Sequence, residues 1–277
     1  MILIADIGGT HTRIAVSKKG ESFSPPLIFP TPKTAEEGFV RIREFAVAQG
    51  EKEGEEYSCA VIGIAGVFSP DRQTLVSSPH LSGWVGECTA ARASQFLGIP
   101  VYFENDAALG ALGEAVRGAG KGADIVAYVT VGTGVGGARV TQGALDKTHF
   151  GFEIGHQLIS MNGEVNELEA FVSGNAFPSR HGNAPREVRD PLVWQKVAQD
   201  LADGLYNTLL HWSPDVLVLG GSMMKDIPLS TIKERLFARV RIFPSLPEIR
   251  RGVLGDSCGL YGALAFARPL EKRKQGG

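Results

Sequence analysis

The chain has 277 residues, 43% of them hydrophobic and 21% charged, with 28 basic residues set against 30 acidic ones. That length and core content suit one large globular domain or two lobes of ordinary size, and the balanced charge gives no footprint for nucleic acid or an anionic membrane. Apolar runs stop short of a bilayer span, and Cys59, Cys88 and Cys258 are too scattered for a disulfide framework or a local zinc motif. With no signal segment ahead of the first strand pattern, the expected location is a reducing cytoplasm.

Residues 1–5 predict a strand, Asp6-Ile7-Gly8-Gly9-Thr10 a tight turn, and 12–16 a returning strand. Glycines there allow positive φ and let a ligand approach backbone N–H groups. Thr10 adds a hydroxyl, and Asp6 can order water around a metal ion; a plain Gly-Gly hairpin is the alternative. Thr34-x-x-Glu37 is a capping box ahead of the apolar face of Phe39, Ile42 and Phe45, with Gly50 as its stop and 51–56 as a solvated loop. A buried strand over 58–64 runs toward Gly66. An ordered loop with His80 follows over 77–84, and then a short helix over 89–97.

Residues 99–106 read Ile-Pro-Val-Tyr-Phe-Glu-Asn-Asp before a run of small helix formers. Pro100 blocks a helix upstream, and Val101, Tyr102 and Phe103 favour a buried strand that ends at Asn105-Asp106. Ligands gather at the C-terminal ends of such strands, where a carboxylate can take a proton from a hydroxyl. Asn105 and Asp106 are also both favoured N-caps for the following helix. The motif alone leaves both readings open.

The glycine-rich stretch 118–122 predicts a lobe boundary. A strand over 125–131 then meets Gly132-Thr133-Gly134-Val135-Gly136-Gly137, which matches Gly-x-Gly-x-x-Gly in letters. The dinucleotide fingerprint needs a helix to open within the motif. Here 138–141 continues as a strand, so the motif predicts a hairpin resembling the first. Glycine amides and a threonine hydroxyl at a turn suit phosphate, and the absence of Gly-x-x-x-x-Gly-Lys-Ser/Thr excludes a P-loop. Two such turns suggest related lobes gripping one polyphosphate.

Phe152-Glu153-Ile154-Gly155-His156 follows, then an acidic segment with Glu167 and Glu169. Carboxylates and an imidazole suit sugar hydroxyls, which need acceptors placed around a ring; a surface loop is the alternative. Asp190-Pro191 opens a long helix with Val197, Leu201, Leu205 and Leu209 on one face. A strand over 216–219 runs into Gly220-Gly221-Ser222. Helices over 231–241 and 259–267 and a basic tail over 268–274 complete the chain.

These residues together resemble the ROK family (repressors, open reading frames and kinases) of the actin, hexokinase and heat-shock ATPase superfamily, over nearly the whole chain. Residues 6–10 and 132–137 resemble its two phosphate motifs, and Glu104-Asn105-Asp106-Ala107 its catalytic segment. Glu153 to His156 resembles its Glu-x-Gly-His sugar motif, 169–174 the acidic motif that follows, and Gly220-Gly221-Ser222 its adenosine contact. The resemblance implies a two-lobed α/β fold of the actin-like ATPase (ribonuclease H-like) type with an active-site cleft between the lobes. Residues 1–117 plus 259–277 would form the small lobe and 118–258 the large one.

The same resemblance implies transfer of the γ-phosphoryl of ATP to a hexose hydroxyl, usually on carbon six, by positioning and charge neutralisation. Asp106 would be the general base, with Asn105, Glu153, His156, Glu169 and Gly66 at the sugar. Gly8, Gly9, Thr10, Gly132, Thr133 and Gly134 would hold phosphates, Gly220, Gly221 and Ser222 the adenosine, and Asp6 magnesium (Mg2+) through water. A hexose and ATP are the expected partners, without nucleic acid or membrane, and a homodimer is compatible.

Departures from the family pattern bear on specificity. Many members carry three cysteines between that His and the second Glu, completing a structural zinc site with the His. Residues 158–168 hold none, so no zinc is expected and His156 lacks the metal that would orient it. His80 and Ala108 stand where Asn is usual, and Val67-Phe68 where Pro-Val is. The opening Asp-Ile-Gly-Gly-Thr-His-Thr-Arg also resembles bacterial glucokinases outside the zinc-bearing group. The expected enzyme is a glucokinase-type hexokinase. An N-acetylhexosamine or fructose kinase of the same family is the alternative, and a non-catalytic sugar-responsive regulator or binding protein the alternative from another class.

Overall fold

The computed structural model describes residues 1–161 and 163–275, with side chains described through Leu270. Packing divides the chain into two units, Met1–Val116 with Lys147–Gly151 and Ser257–Gly277, and Arg117–Asp146 with Phe152–Asp256.

The first unit opens with β1 (Ile2–Ile7), β2 (His11–Ser17), β3 (Leu27–Pro30), helix α1 (Ala35–Glu53) and β4 (Cys59–Ile64). A small hairpin of β5 (Val67–Phe68) and β6 (Leu75–Ser77) leads to α2 (Ala90–Leu97), β7 (Val101–Asn105) and α3 (Asp106–Arg117). The main sheet has the order β3-β2-β1-β4-β7, with β1–β2 and β2–β3 antiparallel and β1–β4 and β4–β7 parallel. Side chains alternate across a strand, and both faces of the central strands are covered. Leu3, Ala5, Ile7, Ala60, Ile62 and Ile64 pack with Phe39, Ile42 and Trp84, whereas Ile2, Ile4, Cys59 and Val61 pack with Leu109, Leu260 and Leu264.

Thr34 caps α1 by accepting from Glu37 N–H, as its capping box predicts. The helix nevertheless runs through Gly50 to Glu53 and stops at Gly54, whose φ of +64° makes the left-handed cap. Tyr57 explains the difference. Its hydroxyl donates to Ala46 O at 2.9 Å, and its ring lies against Gly50, so tertiary packing keeps that turn helical.

The second unit contains β8 (Ile125–Val131), β9 (Val135–Thr141), β10 (Ala144–Leu145), β11 (Leu158–Met161) and β12 (Glu164–Glu167). Short helices α4 (Leu168–Val172) and α5 (Phe177–His181) precede α6 (Pro191–Trp212), β13 (Val216–Gly220), α7 (Leu229–Arg239) and β14 (Glu248–Arg251). Its main sheet has the order β10-β9-β8-β13-β14: two antiparallel pairings, then two parallel ones. The strand plan repeats that of the first unit, and the β8–β9 hairpin occupies the place of β1–β2. The strand after Gly134 is antiparallel to β8, so the Gly-x-Gly-x-x-Gly string opens no helix and a dinucleotide fold is excluded. Asp190 caps α6 through Leu192 N–H at 2.9 Å, and Val197, Leu201, Leu205 and Leu209 are buried in this unit's core.

The last helix, α8 (Cys258–Gln275), belongs to the first unit and extends past Ala267, where the sequence reading ends it. It does so through Pro269, against proline's local preference, so propensity alone does not account for the continuation. Most of the predicted basic tail, 271–274, lies outside the described side chains, as Asn162 does for its whole residue.

Candidate active site

In the first unit, the β7–α3 junction falls where the sequence places it, with Asn105 ending the strand and Asp106 opening the helix. Asn105, not Asp106, is the cap: its Oδ1 accepts from Ala108 N–H at 2.9 Å. Its Nδ2 donates to Gly66 O at 3.0 Å, tying the junction to the end of β4. The amide carries a second Nδ2–H beyond that bond. The Asp106 carboxyl, at the first helical position, is left with the Ala107 and Asp106 amides as its backbone partners. Burial pushes its pKa up, against the lowering influence of the Ala107 and Asp106 amides and His80.

Neighbouring contacts hold this junction. Glu104 accepts from Asn105 N–H at 2.9 Å and pairs with Arg72 at 3.3 Å. Arg72 also donates to Thr148 Oγ1 at 3.1 Å and His149 O at 3.2 Å. Sequence reasoning misses Arg72, since an Asp-Arg pair in a loop carries no signal for a contact with Glu104. Asp6 lies across the sheet from the junction, in register with Gly63 on β4, which is in turn in register with Glu104. Added Cβ atoms would come within 3.7 Å of the Asp6 carboxylate at Gly63 and 3.0 Å at Gly259. The Asp6 carboxylate therefore lies beside two glycines, of which sequence reasoning misses Gly259 as a site neighbour.

Gly9 and Thr10 are exposed at the β1–β2 turn. Neither Gly8 nor Gly9 has positive φ, contrary to the reading of that turn. Gly9 is required for another reason: a Cβ there would lie 2.7 Å from His80 Cβ. The Gly8 amide is already donated to His11 O, and Gly8 O accepts from Thr31 Oγ1 at 2.7 Å.

In the second unit, Thr133 is exposed at the β8–β9 turn. The turn is fastened by Gly174 N–H to Gly132 O at 2.7 Å and Asn175 N–H to Thr133 O at 3.1 Å. Gly132 faces Ser222, and Gly221, at φ +92°, sits against Val131 where a Cβ would lie 2.3 Å from the carbonyl oxygen. The turn and the Gly220-Gly221-Ser222 segment are thus neighbours. Glu169 accepts from Val135 N–H at 3.3 Å and lies beside Gly134 and Gly155. A Cβ at Gly155 would lie 2.2 Å from Val135 O, which is why the Glu-Ile-Gly-His motif needs its glycine.

Glu153 and His156 flank a single 3-10 turn and are exposed. His156 Nδ1 lies 2.9 Å from Glu167 Oε2, and Nε2 is 4.0 Å from Glu153. The hydrogen bond to Glu167 raises the His156 pKa above the ordinary histidine value, with Glu169 and Glu153 acting in the same direction. Glu167 and Glu169 border a cavity of about 680 Å³ whose wall includes Ser173, Asn175 and Arg180. The structure therefore brings Glu153, His156 and Glu169 together and adds Glu167, which the sequence shows but gives no role.

His156, Glu167 and Glu169 place ligand atoms within 4.8 Å of one another. Three donors without thiolate are fewer than the four of a structural zinc site. Purified protein is expected to carry less than stoichiometric zinc and to keep its melting temperature in chelator. One tightly held zinc per chain by elemental analysis would overturn that.

Two α/β units on one strand plan, each with a glycine-bearing hairpin at the same place, define a protein of the actin-like ATPase class. The chain belongs to the ROK family, whose pattern matches residues 3–269. It is 27% identical to the glucokinase of Streptomyces coelicolor, over 95% of this chain and 96% of that protein. It is likewise 27% identical to a putative fructokinase of Bacillus subtilis, over 95% and 93%. Among solved structures, a ROK family glucokinase from Streptomyces griseus in complex with glucose and AMPPNP matches at 26% identity and a TM-score of 0.79, covering 97% of this chain and 99% of that one. Among the described residues no helix is long and apolar enough to cross a membrane.

Proposed function

We propose that the protein is an ATP-dependent hexokinase of the glucokinase type, with the 6-hydroxyl of glucose or a related hexose as acceptor. The observation that carries this reading is the Asp106 carboxyl. It stands half-buried at the first position of α3 while the neighbouring Asn105 side chain performs the capping. A hexose hydroxyl is a poor nucleophile, and the Asp106 carboxylate takes its proton as the bond to phosphorus forms. Asn105 directs its remaining amide N–H to the sugar, and Glu153, His156 and Glu169 accept from or donate to other hydroxyls. The exposed Thr10 hydroxyl in the first unit, and in the second the Thr133 hydroxyl, the Gly132–Gly134 turn and the adjoining Gly221-Ser222 segment, each support phosphate or nucleotide binding. Asp6 is the residue to hold magnesium through water. When bound, ATP and Mg2+ supply the phosphoryl group and neutralise its charge.

An assay of ADP release across glucose, fructose, mannose, N-acetylglucosamine and N-acetylmannosamine tests the reading. ATP turnover that depends on a hexose is expected, with glucose or mannose preferred. Preference for fructose or an N-acetylhexosamine would move the specificity to another member of the family. No turnover with any sugar, despite measurable hexose binding, would make the protein a sugar-binding regulator instead.

A further inference from the structure

The sugar-kinase reading leaves one contact unused. By family resemblance, a structural zinc with three cysteine thiolates orients the histidine of Glu-x-Gly-His, and this chain has no cysteine between His156 and Glu169. An exposed imidazole with no partner would sample several rotamers and both neutral tautomers. Here it does not lack a partner. Glu167 presents Oε2 to His156 Nδ1 at 2.9 Å, a hydrogen-bonding distance.

The backbone around Glu167 is built to hold that contact. Glu167 is the last residue of β12 and lies in register opposite Leu158, two residues beyond His156. Leu168 N–H donates to Gln157 O at 2.9 Å, so the residues following each partner are also joined. Gln157 is fixed in turn by Asn207, whose Nδ2 donates to Gln157 Oε1 at 2.9 Å. Glu167 N–H is held by Asn166 Oδ1 at 2.9 Å. The carboxylate therefore comes from a paired strand end.

We infer that Glu167 is a positioning residue for His156, holding the imidazole by Nδ1 so that Nε2 is the nitrogen offered to a hexose hydroxyl. The inference rests on the sugar-kinase reading above. Its logic holds in both protonation states. A neutral ring keeps its proton on Nδ1 toward Glu167 and offers the Nε2 lone pair; a protonated ring offers Nε2–H. The charged groups facing the ring are Glu153, Glu167 and Glu169, all acidic. Of these Glu167 alone meets Nδ1, while Glu153 stands on the Nε2 side at 4.0 Å. In metal sites, a carboxylate bonded to the second nitrogen of a ligand histidine fixes its tautomer and orientation, and losing it costs about 10–100-fold in affinity or activity. The same geometry here serves a sugar.

Nitrogen NMR of the sugar-free protein at alkaline pH reads the tautomer of His156, and calorimetry with the preferred hexose reads binding without requiring turnover. Wild type is expected to show the Nδ1–H tautomer. Glu167→Ala is expected to give a mixture and a hexose Kd raised about 10-fold, with kcat changed less than KM. Glu167→Gln, which keeps the shape and an acceptor oxygen, is expected to restore most of the binding and guards against misfolding of the alanine variant. In a His156→Ala background, Glu167→Ala is expected to have no further effect, because its action passes through the ring. An Nε2–H tautomer in wild type, or equal losses from Glu167→Ala with and without His156, would overturn the inference. So would a stoichiometric zinc whose removal abolishes hexose binding. If wild type binds no hexose, the sugar-kinase reading fails and this one with it. If hexose binds but ignores Glu167, only this one fails.

Discussion

Asp106→Asn is expected to lower kcat by about two to four orders of magnitude while changing hexose Kd far less. The amide keeps the shape of the side chain and most ground-state hydrogen bonds but cannot accept the proton. The fold sharpens the test. If Asp106 served only the helix, Asn105 would make it redundant, since Asn105 Oδ1 already binds Ala108 N–H. A second readout follows from the raised pKa. A carboxyl whose folded pKa lies above its unfolded value contributes stability below the unfolded pKa, and that contribution is lost as pH rises through the folded pKa. As pH rises past the unfolded pKa, the folded chain therefore bears a cost of ionising Asp106 that an Asn at that position does not bear. The variant is expected to melt at a temperature equal to or above wild type at pH 7, with its advantage shrinking as pH falls toward about 4, the ordinary carboxylate range. The acid limb of kcat/KM in wild type is expected above that range. Near-normal turnover in Asp106→Asn would remove Asp106 as the base, and a neutral-pH variant less stable than wild type would contradict the desolvation argument.

The parts of this fold legible in the sequence are those set by neighbours close along the chain. Pro100, the β-branched and aromatic residues after it, and the switch to small residues at Ala107 locate the β7–α3 junction to within a residue. Strand continuation after Gly137 distinguishes a hairpin from a dinucleotide motif. The glycines show where local reading stops. At Gly9, Gly155 and Gly259 the reason for glycine is His80, Val135 O and the Asp6 carboxylate, each remote in sequence or presented by another element. Gly50 looks like a helix stop because nothing near it announces that Tyr57 folds back onto that turn. The choice of cap between Asn105 and Asp106 depends on a one-residue offset that their shared preference for capping cannot resolve. Glu167 is visible as an acidic residue but acquires a role only when β11 and β12 pair in register.

Gly262→Ala tests the other end of that argument, because propensity and packing predict opposite signs. In an exposed helix interior, replacing glycine by alanine stabilises by about 1 kcal/mol. Gly262 lies where α8 crosses α3, and a Cβ there would sit 1.8 Å from Leu109 O and 2.5 Å from Leu109 C. Gly113 on α3 faces back in the same way, with its added Cβ 2.2 Å from Cys258 O. The obstacle is backbone on both sides, so no side-chain rotation relieves it. Leu109, Leu260, Ala263 and Leu264 are fully buried around the crossing, and separating the helices opens that layer. Over-packing of this kind costs typically 1–3 kcal/mol, and rigid backbone on both helices puts this site near about 3. The expected fall in melting temperature is about 6–12 °C for a chain of this size. Because α3 begins at Asp106, kcat is expected to fall as well. Gly50→Ala serves as the opposite case: its Cβ would meet only the Tyr57 ring at 3.5 Å, an ordinary contact, and Glu55 O at 3.9 Å. It is expected to raise the melting temperature by about 2–4 °C. Thermal unfolding of the two variants side by side decides the matter. A Gly262→Ala protein as stable as wild type would mean that α3 and α8 do not approach as closely as the crossing requires.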